Sequence, residues 1–99
     1  MTFYNALKSA GLPVAYSHFK KAQDPPYIVY LGNGQDTFSA DNSFYWSKNA
    51  YVVEYIFKTK NESAEKAIEM ALLDNGYLYQ KSEDTYIEGQ GVFIIYYYV

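Results

Sequence analysis

Few side chains in this sequence have types and spacings that suit catalysis. His18 is the one histidine among 99 residues, and there is no cysteine. A Ser-His-Asp relay needs a base held against a nucleophile on a sharp turn. No glycine pattern of that kind surrounds any serine here, so His18, at a strand end, reads as a structural hydrogen-bonder. Zinc asks for three or four nitrogen or sulfur ligands, and the carboxylates Asp36, Asp41, Asp74, Glu83, Asp84 and Glu88 are strung out along the chain. Asp36 and Asp41, in GNGQDTFSAD, lack the alternating ligand spacing of a calcium loop. Gly32-Asn33-Gly34 follows a strand but opens a loop rather than a helix, which is not the setting of a phosphate cradle. Glu83, Asp84 and Glu88 have the chemistry for acid–base work, but a charged turn beside a hairpin is the simpler reading. Lys20-Lys21 reads as a wet loop. The residues therefore predict no enzyme and assign no catalytic, cofactor or metal site.

Composition sets the wider limits. Ninety-nine residues make one domain, 1–99, and a chain of this size buries roughly 60–65 % of its unfolded surface. Hydrophobic residues are 49 % and charged residues 19 %, the balance of a globular chain rather than a disordered one. Eight basic residues, all lysine, against eleven acidic ones give a net charge of −3. Binding to nucleic acid rests on a basic footprint and, for base readout, largely on arginine, so sequence recognition of nucleic acid is not expected. No apolar run is long enough to span a bilayer, and MTFYNALKSAG lacks the basic flank and apolar core of a signal peptide. The expectation is a soluble, non-exported protein. The unusual feature is 13 tyrosines, with six Phe and one Trp, side chains that suit half-buried sheet faces and protein interfaces.

The elements that position these residues are legible from their periods. Thr2 caps a short helix whose Phe3, Ala6, Leu7 and Ala10 share one face, and Gly11 and Pro13 end it. Val14 to His18 predicts a short strand, Phe19 to Pro26 a loop, and Tyr27 to Leu31 a strand. Gly32 to Ser43 is rich in turn residues and predicts a twelve-residue loop, long enough to face a partner. The segment AYVVEYIFKTK, residues 50–60, alternates apolar Tyr51, Val53, Tyr55 and Phe57 with mixed Val52, Glu54, Ile56 and Lys58. That is the period of a strand, with FYWS upstream of it and a bulge or kink at Lys48-Asn49. Asn61 then caps a helix with Glu62 and Glu65 in its first turn and Ala64, Ala67, Ile68, Ala71 and Leu72 in one stripe. Tyr77 to Lys81 and Val92 to Val99 predict two more strands, with a short extension at 86–88. The fold class is α+β, a mostly antiparallel twisted sheet of about five strands with two helices, in the order α-β-β-β-α-β-β.

GLPVAY (11–16), His18-Phe19, PPYIVY (25–30) and Ala40-Asp41-Asn42 with Tyr45 form a succession that continues through Tyr51, Val53-Glu54-Tyr55, Lys60, the acidic helix, Tyr79, Lys81 and Ile87-Glu88. Over nearly the whole chain this resembles a family of small tail terminator, or head-to-tail joining, proteins of tailed phages and prophages of Gram-positive bacteria. The sequence departs from that pattern at Gly89-Gln90-Gly91 and in its apolar ending, VFIIYYYV. The resemblance implies a non-enzymatic α+β protein of the virion, made in the bacterial cytoplasm. It implies a ring, typically hexameric, that stops tail-tube growth, with the tail tube protein and the head completion or connector protein as partners. It carries over no catalytic residue.

The aromatic excess points the same way. Phe38, Asp41, Asn42, Tyr45 and Trp46 are the expected contacts with a ring neighbour or the tube, and Glu54 and Lys58 lie on the strand face left for another subunit. Charge reversal at Glu54 is expected to disturb assembly more than folding. The competing reading is a small acidic inhibitor whose carboxylates imitate phosphate and block an enzyme or a nucleic-acid-binding protein. Such a protein needs its acids clustered on one face.

Overall fold

A computed structural model describes residues 2–39 and 45–99, and the side chains of these apart from 35–39 and 45–49. Helix α1 (Phe3–Lys8) starts where Thr2 Oγ1 accepts the Asn5 N–H. It buries Phe3, Ala6 and Leu7, and the chain turns away through Gly11 at φ +89°. Strand β1 (Val14–Tyr16) leads through a covering loop to β2 (Tyr27–Ser39), and β3 (Tyr45–Phe57) runs back beside it. Helix α2 (Glu62–Asp74) is capped by Asn61, whose side chain accepts from the N–H groups of Ser63 and Ala64. Gly76, at φ +83°, lies just past its end. Strands β4 (Gln80–Lys81), β5 (Thr85–Ile87) and β6 (Val92–Tyr98) complete an α+β fold.

Six strands make one sheet in the order β1-β2-β3-β6-β4, with β5 also on β6. All pairs are antiparallel except β1 with β2. That parallel pair is possible because the ten residues between the two strands cross over the sheet instead of forming a hairpin. The sixth strand is Thr85–Ile87, a fragment that holds only by pairing with β6. The segment predicted as a strand from Tyr77 is strand only at Gln80–Lys81.

The β2–β3 pair departs most from the sequence reading. The expected loop from Gly32 to Ser43 is strand as far as Ser39, because a bulge between Gly32 and Gln35 absorbs one extra residue and pairing then resumes. Gly34, at φ +76°, makes the bulge possible. The irregularity thus lies in β2, not at Lys48-Asn49 in β3.

The main core sits between the sheet and the two helices. Val53, Tyr55 and Phe57 of β3, Ile28 of β2, and Ile95 and Tyr97 of β6 meet Phe3, Leu7, Ile68 and Leu72. Each such side chain taken fully out of water contributes about 1.5–3 kcal/mol. Phe3 also stacks on Tyr51 with ring centroids 3.9 Å apart. The expected docking of the Ala/Ile/Leu stripe on the odd-numbered face of β3 is what the structure has.

Candidate interaction surface

The sheet's second face carries no helix, and registers across it place its residues in rows. One row is Tyr27, Ile56 and Ile94; the next is Ala15, Val29, Glu54 and Tyr96; the third is Leu31, Val52 and Tyr98. The covering loop shelters the first row. It leaves β1 at Ser17, a non-glycine residue at φ +67°, a left-handed conformation that costs about 1–3 kcal/mol. Two bonds fix the turn: the Ser17 N–H donates to the Tyr30 carbonyl at 2.9 Å, and the His18 N–H to the Tyr16 carbonyl at 2.7 Å. The strained corner sends Phe19 back over the sheet, where it meets Tyr27 edge-on with centroids 5.3 Å apart. Together they cover a second, smaller core of Val29, Ile56 and Val92. Ile56 is therefore buried within the chain, which narrows the strand face expected to await a partner.

Between loop and sheet lies a cleft of about 340 Å³, lined by Ser17, His18, Phe19, Tyr27, Glu54 and Ile94 among others. Glu54 is half-buried at its upper edge, where the sheltered row gives way to the open one. Burial alone pushes its carboxyl above the ordinary carboxylate value. Beyond it, Tyr96 and Tyr98 stack with centroids 6.2 Å apart, and Tyr98 is exposed.

The β2–β3 ribbon extends this surface. β1 pairs with β2 only at 28–30, and β6 pairs with β3 only at 52–57. Residues 32–39 and 45–50 thus run on as a two-stranded arm, with Phe38 opposite Trp46, Ser39 opposite Tyr45 and Asp36 opposite Lys48. Of the residues named from sequence as contacts, Phe38, Tyr45 and Trp46 fall on this arm. Glu54 sits on the open face, and Lys58 is exposed just past the end of β3. Asp41 and Asn42 lie outside the described residues. Phe38 belongs to a strand rather than to the middle of a loop.

A second cluster of titratable groups lies on the helix side, and sequence reading missed it. Glu65, placed in the first turn of α2 for its interaction with the helix dipole, is only 2 % exposed. Its Oε1 accepts from Lys81 Nζ at 2.9 Å. Its Oε2 lies 2.7 Å from Lys60 Nζ, an ion pair without good hydrogen-bond alignment. Lys60 also meets Asp84, and Lys81 meets Glu69 at 2.8 Å. The buried Tyr97 hydroxyl donates to Glu69 at 2.9 Å. Burial pushes Glu65 and Glu69 upward, but the lysines outweigh it and hold both carboxyls below their ordinary value. The close contact with Glu65 and the hydrogen bond to Asp84 raise Lys60. Burial opposes the charge on Lys81, yet its two carboxylate partners hold it well above the ordinary lysine value. Burial and the bond to Glu69 raise Tyr97. Every member is committed to another, so the cluster clamps α2 to β4 and to the following turn and offers no poised base. The sequence signal for it was faint: a lysine just before the helix cap and another in β4, with acids at positions 65 and 69 between them.

Among the described residues no group of His, Cys, Asp and Glu converges as a metal site, and no helix is long and apolar enough to cross a membrane. No protein-family model, curated protein or solved structure matches this chain.

Proposed function

We propose that this chain is a structural protein of the phage or prophage head–tail joint, a tail terminator that assembles as a ring, a hexamer as the resemblance to head-to-tail joining proteins implies, caps the tail tube and docks onto the head connector. The observation that carries the reading is the β2–β3 arm. A two-stranded ribbon is marginal alone in water, and a domain this small has little surface to lay against it. Such an arm gains its stability when a neighbour covers it. The aromatic positions Phe38, Tyr45 and Trp46 on it are of the residue types that anchor interfaces.

Several of the segments behind the resemblance are neighbours in the fold. GLPVAY runs from the end of α1 into β1, His18-Phe19 starts the covering loop, PPYIVY opens β2, and Val53-Glu54-Tyr55 lies in β3. Of these, Ala15, Phe19, Tyr27, Val29 and Glu54 contribute to the open face and its cleft, while Val14, Ile28, Val53 and Tyr55 belong to the main core. The reading makes the protein a non-enzymatic virion component whose partners are its own copies, the tail tube protein and the head completion protein. The acidic-inhibitor reading draws less support, because Glu65, Glu69 and Asp84 are already paired with Lys60 and Lys81.

The test is sedimentation and light scattering of the purified protein over a wide concentration range, alone and with purified tail tubes, followed by electron microscopy. Rings, alone or at tube ends, are the expected result. A monomer at all concentrations that leaves tube ends bare refutes the reading.

A further inference from the structure

The covering loop, residues 17–26, is held to the sheet by few contacts. None of its residues is buried. Among the described residues, no backbone hydrogen bond joins 19–26 to the sheet, and no ion pair ties down Lys20, Lys21 or Asp24. The side-chain bond in its far half, from Gln23 Nε2 to the Asp24 carbonyl at 3.4 Å, stays within the loop. Lys21, Ala22 and Gln23 line the cleft of about 340 Å³, so the middle of the loop is not packed down on the sheet. What holds it is Phe19, which packs on the second core and meets Tyr27 edge-on. A segment with few buried apolar contacts and a solvated backbone opens at far lower cost than the fold as a whole.

Ser17 has the conformation of a hinge. Its φ of +67° is strained for a residue with a side chain, and such strain persists only while the surroundings impose it. Rotating Ser17 into the extended region swings the chain that follows it. The Ser17 N–H lies on the β1 side of the rotating bond and stays on the Tyr30 carbonyl, so the bond that breaks is that of the His18 N–H to the Tyr16 carbonyl. Tyr16, Ser17 and His18 are all exposed, and water takes up the freed groups. Release of strain offsets the lost bond, which leaves the packing of Phe19 to favour the closed state.

We propose that residues 17–26 form a flap, hinged at Ser17 and latched by Phe19, that opens in the folded domain and uncovers the small core of Val29, Ile56 and Val92. Opening joins the row of Tyr27, Ile56 and Ile94 to the two rows beside it, so the apolar width of this face changes with the flap. The motion belongs to the single chain and does not depend on assembly.

The chain has no cysteine, so one engineered thiol reports the opening. Val29→Cys lies under the flap, and Val53→Cys lies on the opposite face of the sheet, in the main core. Each is treated with an aromatic disulfide reagent over a urea series. Without urea, Val29→Cys is expected to label at least ~30-fold faster than Val53→Cys, and with a much shallower urea slope, because opening exposes little surface. Adding Phe19→Ala to the Val29→Cys chain should speed its labelling about 10-fold, the effect of losing one partly buried, ring-paired side chain. Adding Ser17→Gly, which accepts the left-handed corner without strain, should slow it about 3-fold. Circular dichroism checks that each variant is folded, and Ile56→Cys is the second reporter should Val29→Cys not fold.

Equal urea slopes for the two thiols would mean that the loop leaves only when the domain unfolds, and would overturn the flap. Labelling of Val29→Cys as fast as a thiol in the unfolded chain overturns it too, since nothing then covers the site. A Ser17→Gly chain that labels as fast as its parent overturns the hinge, and a Phe19→Ala chain that labels no faster overturns the latch.

Discussion

Glu65→Gln tests how much the buried charge cluster contributes. The substitution keeps the shape and removes the charge that faces Lys81 at 2.9 Å and Lys60 at 2.7 Å. Removing one partner of a fully buried ion pair costs about 3–5 kcal/mol. Here the acid is buried, but the lysine side chains are 45 % and 35 % exposed, and each keeps another carboxylate, Asp84 or Glu69. Water and these partners recover more than half of the loss, leaving about 1–2 kcal/mol. For a domain of this length that lowers the melting temperature by about 4–16 °C.

The pH dependence separates charge from shape in the same substitution. The folded-state carboxyl of Glu65 lies below its ordinary value, so its contribution is full above the unfolded value of about 4.3 and is lost as pH falls through the folded value. Urea unfolding should show a gap between the two proteins that is constant from pH 7 to about 5.5 and closes in stronger acid, with the slope m unchanged. A gap below about 0.5 kcal/mol at pH 7, or one that stays the same at pH 2, refutes the assignment of this energy to the ion pairs.

Two further outcomes follow from the same structure. Glu54→Gln should be as stable as the wild type or up to about 1 kcal/mol more stable at pH 7, because burial raises the carboxyl of Glu54. The penalty is full above the folded value and absent below the unfolded one, so the two urea curves should converge in acid; a less stable variant at pH 7 refutes the unpaired state. Leu72→Ala, at a fully buried site under the sheet, should cost about 2–5 kcal/mol in urea unfolding, and a loss under 1 kcal/mol would place Leu72 outside the core.

Where one rule acted alone, sequence and structure agree. Alternation along Tyr51–Phe57 put Val53, Tyr55 and Phe57 on the face that α2 covers, and the Asn61 cap and the Ile68–Leu72 stripe fixed that helix and its buried side. Local chemistry misled where distant pairing decides. Gly32, Asn33, Gly34 and Asp36 have turn composition, yet β3 pairs with all but a bulge of that segment. Thr85–Ile87 has strand-forming residue types but is only three residues long, and it exists through β6. Glu65 follows the pattern of an exposed first-turn acid, and only the approach of Lys81, sixteen residues later, explains its burial. Of the surface residues, Glu54 was legible as a charge interrupting an apolar alternation, whereas the covering loop above Ile56 depends on the turn at Ser17, which nothing in the local sequence signals.

The place of β6 in the sheet bears on how the chain folds during synthesis. It is the last of the six strands in sequence, yet it lies between β3 and the β4 and β5 fragments and contributes Ile95 and Tyr97 to the main core. Val52 meets Tyr98, 46 positions further along the sequence, a long-range closure of the kind that slows folding. Until β6 emerges, β3 has an open edge, β4 and β5 have no strand to pair with, and the aromatic faces of β2 and β3 remain uncovered. The nascent chain therefore holds this adhesive surface exposed from the completion of β3 until β6 is made, and premature strand pairing is the hazard that its folding has to outpace.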